Sequence, residues 1–203
     1  MIVKKFVVGD MGNNNYLLIN GNDAALIDCT GDIPELLSFI KENNAELKYI
    51  LLTHAHFDHI GGIKKLKEKT GAKVYLHTED KEILDMTNEF MNMVGLPEID
   101  VPEVDVYIND GDKIQLGDSV LDVIHLPGHT PGGVGYLVDN MIFSGDTIFL
   151  NSVGRTDLPG GDFNILKESI KNKLFNLDGS TIIYTGHGAE TSVDYEKKYN
   201  SFI

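Results

Sequence analysis

The chain has 203 residues, 42% hydrophobic and 24% charged, the proportions of one ordinary folded domain that can bury a sizeable core. Seventeen Lys and Arg against 31 Asp and Glu leave a net charge of −14, which disfavours binding to phosphate backbones and to anionic membrane surfaces. The single cysteine, Cys29, excludes an intrachain disulfide framework; the opening MIVKKFVVGD is too short in its apolar run for a signal peptide, and no stretch reaches the roughly 18 apolar residues of a membrane span, so a reducing cytoplasm is the expected compartment.

The first third reads as strands over 2–8, 16–20 and 24–28, separated by GDMGNNN and NGND, both turn chemistry. Asp32-Ile33-Pro34-Glu35 opens a helix whose apolar face is Leu36, Leu37, Phe39 and Ile40. The run 49–52 reads as a strand buried on both faces, leading straight into Thr53-His54-Ala55-His56-Phe57-Asp58-His59. A short helix around Ile63 and Leu66 ends at Gly71, and a strand covers 74–76. The Met-rich stretch 79–103 reads as helical in pieces, either an ordinary connection or a lid and pocket wall, since methionine fills adaptable apolar pockets. Strands follow at 113–116, 120–126, 135–138 and 141–143. Asp162 then caps a helix with Leu166, Ile170 and Leu174 on one stripe, and a last strand covers 182–184. The alternation predicts a layered α and β protein with considerable antiparallel sheet.

Four metal-competent side chains crowd into His54, His56, Asp58 and His59. In an extended segment, His54, His56 and Asp58 point to one side and His59 elsewhere, toward a second centre. Three further polar residues stand at strand exits beside glycines: His129 in PGHT, Asp146 in SGDT and His187 in TGHG. Glycine there lets the backbone turn tightly and approach an ion closely. Five imidazoles and two carboxylates are enough for two ions about 3.5–4 Å apart. With no thiolate in the set, softness does not single out zinc; zinc is the first expectation, with iron and manganese admissible.

The order THAHFDH, PGHT, SGDT, TGHG resembles the metallo-β-lactamase superfamily and, within it, the glyoxalase II-like hydrolases. The resemblance spans nearly the whole chain. It implies an α+β fold, a four-layer αβ/βα sandwich of two mixed sheets with helices on the outer faces, formed by residues 1–203 as one domain with a lid insertion at 79–103. It also implies that His54, His56 and His129 hold a first metal, that Asp58, His59 and His187 hold a second, and that Asp146 bridges them. The expected chemistry is attack of a hydroxide held between the ions on a small acyl-thioester or ester, with Asp58 and Asp146 as the catalytic carboxylates.

Thr53 is read as fixing a ligand by a hydrogen bond. Arg155, in the GRTD loop nine residues after Asp146, either binds a substrate carboxylate or pairs with Asp157 to brace the loop, the second reading being favoured. His125 is read as a support for the site or a bonded core histidine, His77 as a rim or surface residue, and Cys29 as a small buried one. Sixteen residues follow His187 (203 − 187), leaving no counterpart to the helical C-terminal domain that helps hold glutathione in full-length glyoxalase II. The competing functions are a mononuclear iron persulfide dioxygenase on the same scaffold and a nuclease of the same superfamily, which the acidic charge disfavours. The expected partner is a small molecule, with neither nucleic acid nor membrane.

Overall fold

A computed structural model describes residues 1–203. The first sheet takes its strands in sequence order: β1 (Ile2–Val8), β2 (Asn13–Asn20), β3 (Asp23–Ile27), β4 (Glu46–Leu51), β5 (Lys73–His77) and β6 (Val106–Ile108). β1 to β3 are antiparallel and β3 to β6 parallel. The second sheet holds β7 (Lys113–Leu116), β8 (Ser119–His125), β9 (Val134–Val138) and β10 (Met141–Gly145). The ribbon of β11 (Ile148–Phe149) and β12 (Ser152–Val153) stands apart; β13 (Ile182–Thr185) and β14 (Thr191–Ser192) complete the sheet in the order β14-β13-β10-β9-β8-β7. Helices α1 (Leu36–Glu42), α2 (Phe57–Ile60), α3 (Ile63–Thr70), α4 (Lys81–Asp85), α5 (Thr87–Met93), α6 (Phe163–Asn172) and α7 (Val193–Tyr199) connect them. None is long and apolar enough to cross a membrane.

Three apolar interfaces make four layers. Leu17, Ile19, Leu26, Ile50 and Val74 pack against Leu36, Ile40, Ile63 and Leu66 of the helices on one outer side. Their sequence neighbours Tyr16, Leu18, Ile27 and Leu51 face the opposite way and meet Leu121, Val123, Tyr136 and Phe143 of the second sheet. Ile142 and Ile183 then pack on Leu166, Ile170 and Val193 at the other outer side. Period-2 alternation thus buries both faces of β2 and β4, which is why those strands read as unbroken apolar runs. The capped helix at Asp162 forms as expected, with the carboxylate accepting from the amides of Asn164 and Ile165.

The sequence pattern fails locally in three places. Asn13, Asn14 and Asn15, expected as turn, are the first residues of β2 and are buried. Their turn preference comes from side-chain amides competing for backbone partners, and here those amides are otherwise engaged. Asn14 donates to the carbonyls of Thr185 and Gly188, while Asn15 accepts from the Thr30 amide and donates to Thr30 Oγ1. Second, the segment after β4 is extended only as far as His56; α2 begins at Phe57, so Asp58 does not share a face with His54 and His56 by strand alternation. Third, β6, β11, β12, β14 and α7 are too short, or too dependent on their neighbours, to have shown a periodic signal.

In the stretch 79–103, α4 and α5 are joined through Met86 and followed by a segment without regular structure. Its root is Asp80, fully buried. The carboxylate accepts from the Ala55 amide at 2.8 Å, the Gly132 amide at 2.6 Å and Thr130 Oγ1 at 2.9 Å. One side chain therefore ties this wall to the two loops that carry His54 and His129. Asp80→Ala leaves three buried donors unpartnered, at about 1–3 kcal/mol each. A loss of about 3 kcal/mol or more in the urea unfolding free energy of chelator-treated protein is expected, and a loss under about 1 kcal/mol would remove Asp80 from this role.

Candidate metal centre

The seven side chains singled out in the sequence lie at one edge of the sandwich. The parallel pairs β3–β4 and β10–β13 send their C-terminal ends to the same edge, where irregular backbone can reach over the cleft. β4 delivers His54, His56 and, through α2, Asp58 and His59; the loop between β8 and β9 delivers His129; the exits of β10 and β13 deliver Asp146 and His187. Ligand-competent atoms gather in three overlapping groups, each within 4.8 Å: His54, His56 and His129; His54, His59 and Asp146; Asp58, His59 and His187.

The hydrogen bonds outside the cluster set which ring nitrogen faces inward. Thr53 Oγ1 donates to Asp28 Oδ2 at 2.7 Å, so it can only accept from His54 Nδ1 at 3.0 Å. His59 Nδ1 donates to the same Asp28 oxygen at 2.8 Å. His129 Nδ1 meets the Arg155 carbonyl at 2.7 Å, and His187 Nδ1 meets that of Met11 at 3.1 Å. A neutral imidazole carries one N–H. When these four rings are neutral the proton is spent outside, and the Nε2 lone pair points into the centre. His56 turns Nδ1 inward instead, 2.9 Å from His129 Nε2. Buried His59 Nε2 and Asp146 Oδ1 have no hydrogen-bond partner. Converging lone pairs and orphaned buried acceptors are the pattern a divalent cation satisfies.

Before a cation binds, the two sides of the centre differ in charge, and His59 and His187 must each give up a proton for Nε2 to become a ligand. Burial, reinforced by His59, His129 and His56, holds His54 well below the ordinary histidine pKa; burial and His129 push His56 down to about 3. Burial also opposes charge on His59, yet Asp28, Asp58 and Asp146 outweigh it and raise the pKa to about 9. At His187, burial is likewise overcome by Asp146 and Asp58, giving about 10. Burial would raise Asp58 and Asp146, but His59 and His187 bring both below the usual carboxylate range. Asp146 stands in the middle: Oδ1 is 3.6 Å from His59 Nε2, and Oδ2 is 3.4 Å from His187 Nε2 and 3.7 Å from His129 Nε2.

Two glycines hold this spacing. A Cβ at Gly186 would lie 2.0 Å from Asp146 Oδ1, and one at Gly154 would lie 1.8 Å from the Asp146 carbonyl oxygen. Backbone packs where any side chain would displace the central carboxylate. Asn13 adds a donor to Asp58 Oδ2 at 2.8 Å.

Several residues around the centre were read differently, or not at all, in the sequence. Asp28, which orients both His59 and Thr53, was not singled out; its signal was an acidic residue at the exit of β3, and its φ of +57° marks the turn that aims it. Asn13 and Asp80 were missed because their environments are made by distant segments. His77 is not a surface residue: it is buried and stacks on His125 with ring centroids 4.1 Å apart, away from the seven. His125 donates to the Pro131 carbonyl at 2.8 Å, as a bonded structural histidine does. Cys29 is buried and outside the three groups. The exposed Arg155 guanidinium is engaged by both Asp157 oxygens at 2.7 and 2.9 Å.

The family model of the metallo-beta-lactamase superfamily matches residues 8–187. The hydroxyacylglutathione hydrolase GloC of Haemophilus influenzae is 38% identical over 185 residues, which are 89% of this chain and 87% of that one. The crystal structure of BLEG-1 B3 metallo-beta-lactamase superposes with a TM-score of 0.90 at 35% identity, covering 99% of each chain. That of TTHA1623 in a di-iron-bound form gives 0.87 at 37% identity, covering 99% of this chain and 100% of the other. With the four layers and the clustered histidines and carboxylates, these similarities show that the chain belongs to the metallo-beta-lactamase superfamily and is a metallo-hydrolase of that fold.

Proposed function

We propose that the protein is a binuclear metal-dependent hydrolase of a small acyl-thioester or ester. The observation that carries this reading is the inward convergence of seven lone-pair-bearing side chains around a central carboxylate, with His59 Nε2 and Asp146 Oδ1 buried and unpartnered. His54, His56 and His129 would hold one ion, Asp58, His59 and His187 the other, and Asp146 both. Two bound cations would supply a water acidic enough to react near neutral pH and a polarised substrate carbonyl. Zinc is the first expectation; the donor set also suits iron, and a di-iron form exists for a chain 37% identical to this one.

The chain's own groups do the positioning. Asp28 fixes the ring of His59 directly and that of His54 through Thr53, so one buried carboxylate orients a group on each side of the centre. Asn13 holds the Asp58 carboxylate from behind, leaving its remaining lone pairs free. In the overall reaction water adds to the carbonyl carbon, the carbon–sulfur bond breaks, and the thiol and carboxylic acid leave with the two protons of that water. A relative named as a hydroxyacylglutathione hydrolase supports a thioester, while a neighbour named as a β-lactamase makes a β-lactam the competing amide. The net charge of −14 disfavours nucleic acid and anionic membranes as partners, and the single cysteine supports a reducing, cytoplasmic setting.

The test is to count metal per chain in protein purified without chelator, and to assay acyl-thioesters, a chromogenic β-lactam and glutathione persulfide with oxygen uptake. Two ions per chain and thioester hydrolysis are expected in the wild type. Asp58→Ala should keep about one ion and lose at least about a thousandfold in rate, some 4 kcal/mol of transition-state stabilisation. Asp146→Ala should lose both ions. One iron per chain with persulfide-dependent oxygen uptake, and no hydrolysis, would overturn the proposal in favour of the dioxygenase. Asp28→Ala removes the shared acceptor while leaving all seven candidate ligands in place. A fall in metal affinity of about 10–100-fold is expected in chelator competition, and unchanged affinity would deny Asp28 its orienting role.

A further inference from the structure

Beside the centre, the wall made by α4 and α5 encloses an apolar recess lined chiefly by Phe57, Ile83, Met86, Phe90, Leu158 and Pro159. A second cavity lies directly over Asp58, His129, Asp146 and His187. His56, Phe57, Phe90 and Leu158 line both, so the recess adjoins the centre on the His56 side. The Phe57 and Phe90 rings stack at 6.2 Å, joining the helix that bears Asp58 and His59 to the wall. Met86, although 38% exposed, lines the recess, and a methionine side chain reshapes around apolar ligands at little cost.

Charge selects against the alternative occupant. No lysine or arginine lines the recess, and Arg155, which lines the adjoining cavity, has its guanidinium already paired with Asp157. Glu89 adds a negative charge to the recess, in a chain of net charge −14. A chain carrying carboxylates, as glutathione does, would lose hydration there without a cation in return. An apolar chain would lose only its contact with water.

We infer that this recess is a substrate subsite for a neutral, apolar chain of the thioester, on the His56 side of the centre. The inference rests on the hydrolase reading for the reaction and on the recess alone for the ligand. The chain can belong to the acyl group or to the thiol, and two substrate series distinguish these. In one, N-acetylcysteamine carries acyl groups from acetyl to octanoyl; in the other, acetyl is carried by alkyl thiols of increasing length.

With metal-loaded protein, kcat/KM is expected to rise along one series by up to about fourfold per buried methylene until the recess is full. The acetyl thioester of glutathione should show no such gain over that of N-acetylcysteamine. Met86→Glu, a change at a partly exposed wall position, should flatten the dependence on length, and Met86→Leu should retain it, with melting temperatures showing that both variants fold. A flat response in both series from an enzyme that hydrolyses acetyl thioesters would overturn the subsite and leave the hydrolase standing. So would a slope that Met86→Glu does not change. If no thioester is hydrolysed, calorimetry with S-alkyl N-acetylcysteamine thioethers decides the matter. Affinity that rises with alkyl length and falls in Met86→Glu supports the subsite while removing the thioesterase reading; no binding overturns both.

Discussion

The lone pairs of five imidazoles and two carboxylates meet in one small space, and that crowding is what the surrounding structure is arranged to hold. His54 Nε2 and His129 Nε2 are 3.3 Å apart although each ring's proton is committed elsewhere. Groups of this kind, left to relax, would turn toward solvent or toward donors, because a buried polar atom without a partner is costly. They are prevented from doing so one by one: Thr53, Asp28, Arg155 and Met11 each hold an Nδ1 from outside. The stored cost is offset when a cation takes the lone pairs together, so rigidity and affinity have one source.

That rigidity is inherited from the sheets. Tyr16 of the first sheet donates to the Thr185 carbonyl of the second, and Tyr136 of the second donates to the Leu52 carbonyl of the first. These two buried bonds cross the central apolar layer just before the chain segments that carry His187 and His54. They fix how far apart the two halves of the centre stand. The asparagine tract works at the same edge: the Asn14 amide donates to the Gly186 carbonyl while its side chain reaches Thr185 and Gly188. The turn bearing His187 is thus gripped by a strand of the opposite sheet. Asp80 does the same for the loops of His54 and His129, with a carboxylate whose pKa burial raises.

The acidic surface and the apolar wall belong to one electrostatic picture. Lys64, Lys65, Lys67, Lys113 and Lys173 all lie in ion pairs with aspartates. Such pairs add little stability at exposed positions, but they occupy part of the chain's limited positive charge. Beside the centre the recess offers carbon and the carboxylate of Glu89, with no lysine or arginine. Selectivity for a neutral apolar group then follows from absence of compensation for anything else.

Local patterns in the chain were enough for the layered α and β class, for most of the strands and for picking out the seven side chains that the fold brings to one edge. Those features are local: apolar alternation, glycine beside a strand exit, and H-x-H-x-D-H within six residues. The grouping of the seven was another matter. Alternation alone would have set Asp58 with His54 and His56; the start of α2 at Phe57 brings its carboxylate within reach of His59 and His187 instead. Asn13, Asp28 and Asp80 were illegible because an asparagine in a turn-like run and two aspartates near strand ends have no local mark of importance. Their partners lie 25 to 174 residues away. The buried His77–His125 stack hid for the same reason, each ring supplied by a different sheet. Residue type announces which atoms can hold a charge, but only the packing of distant segments decides which of those atoms are denied water, and that denial gives them their chemistry.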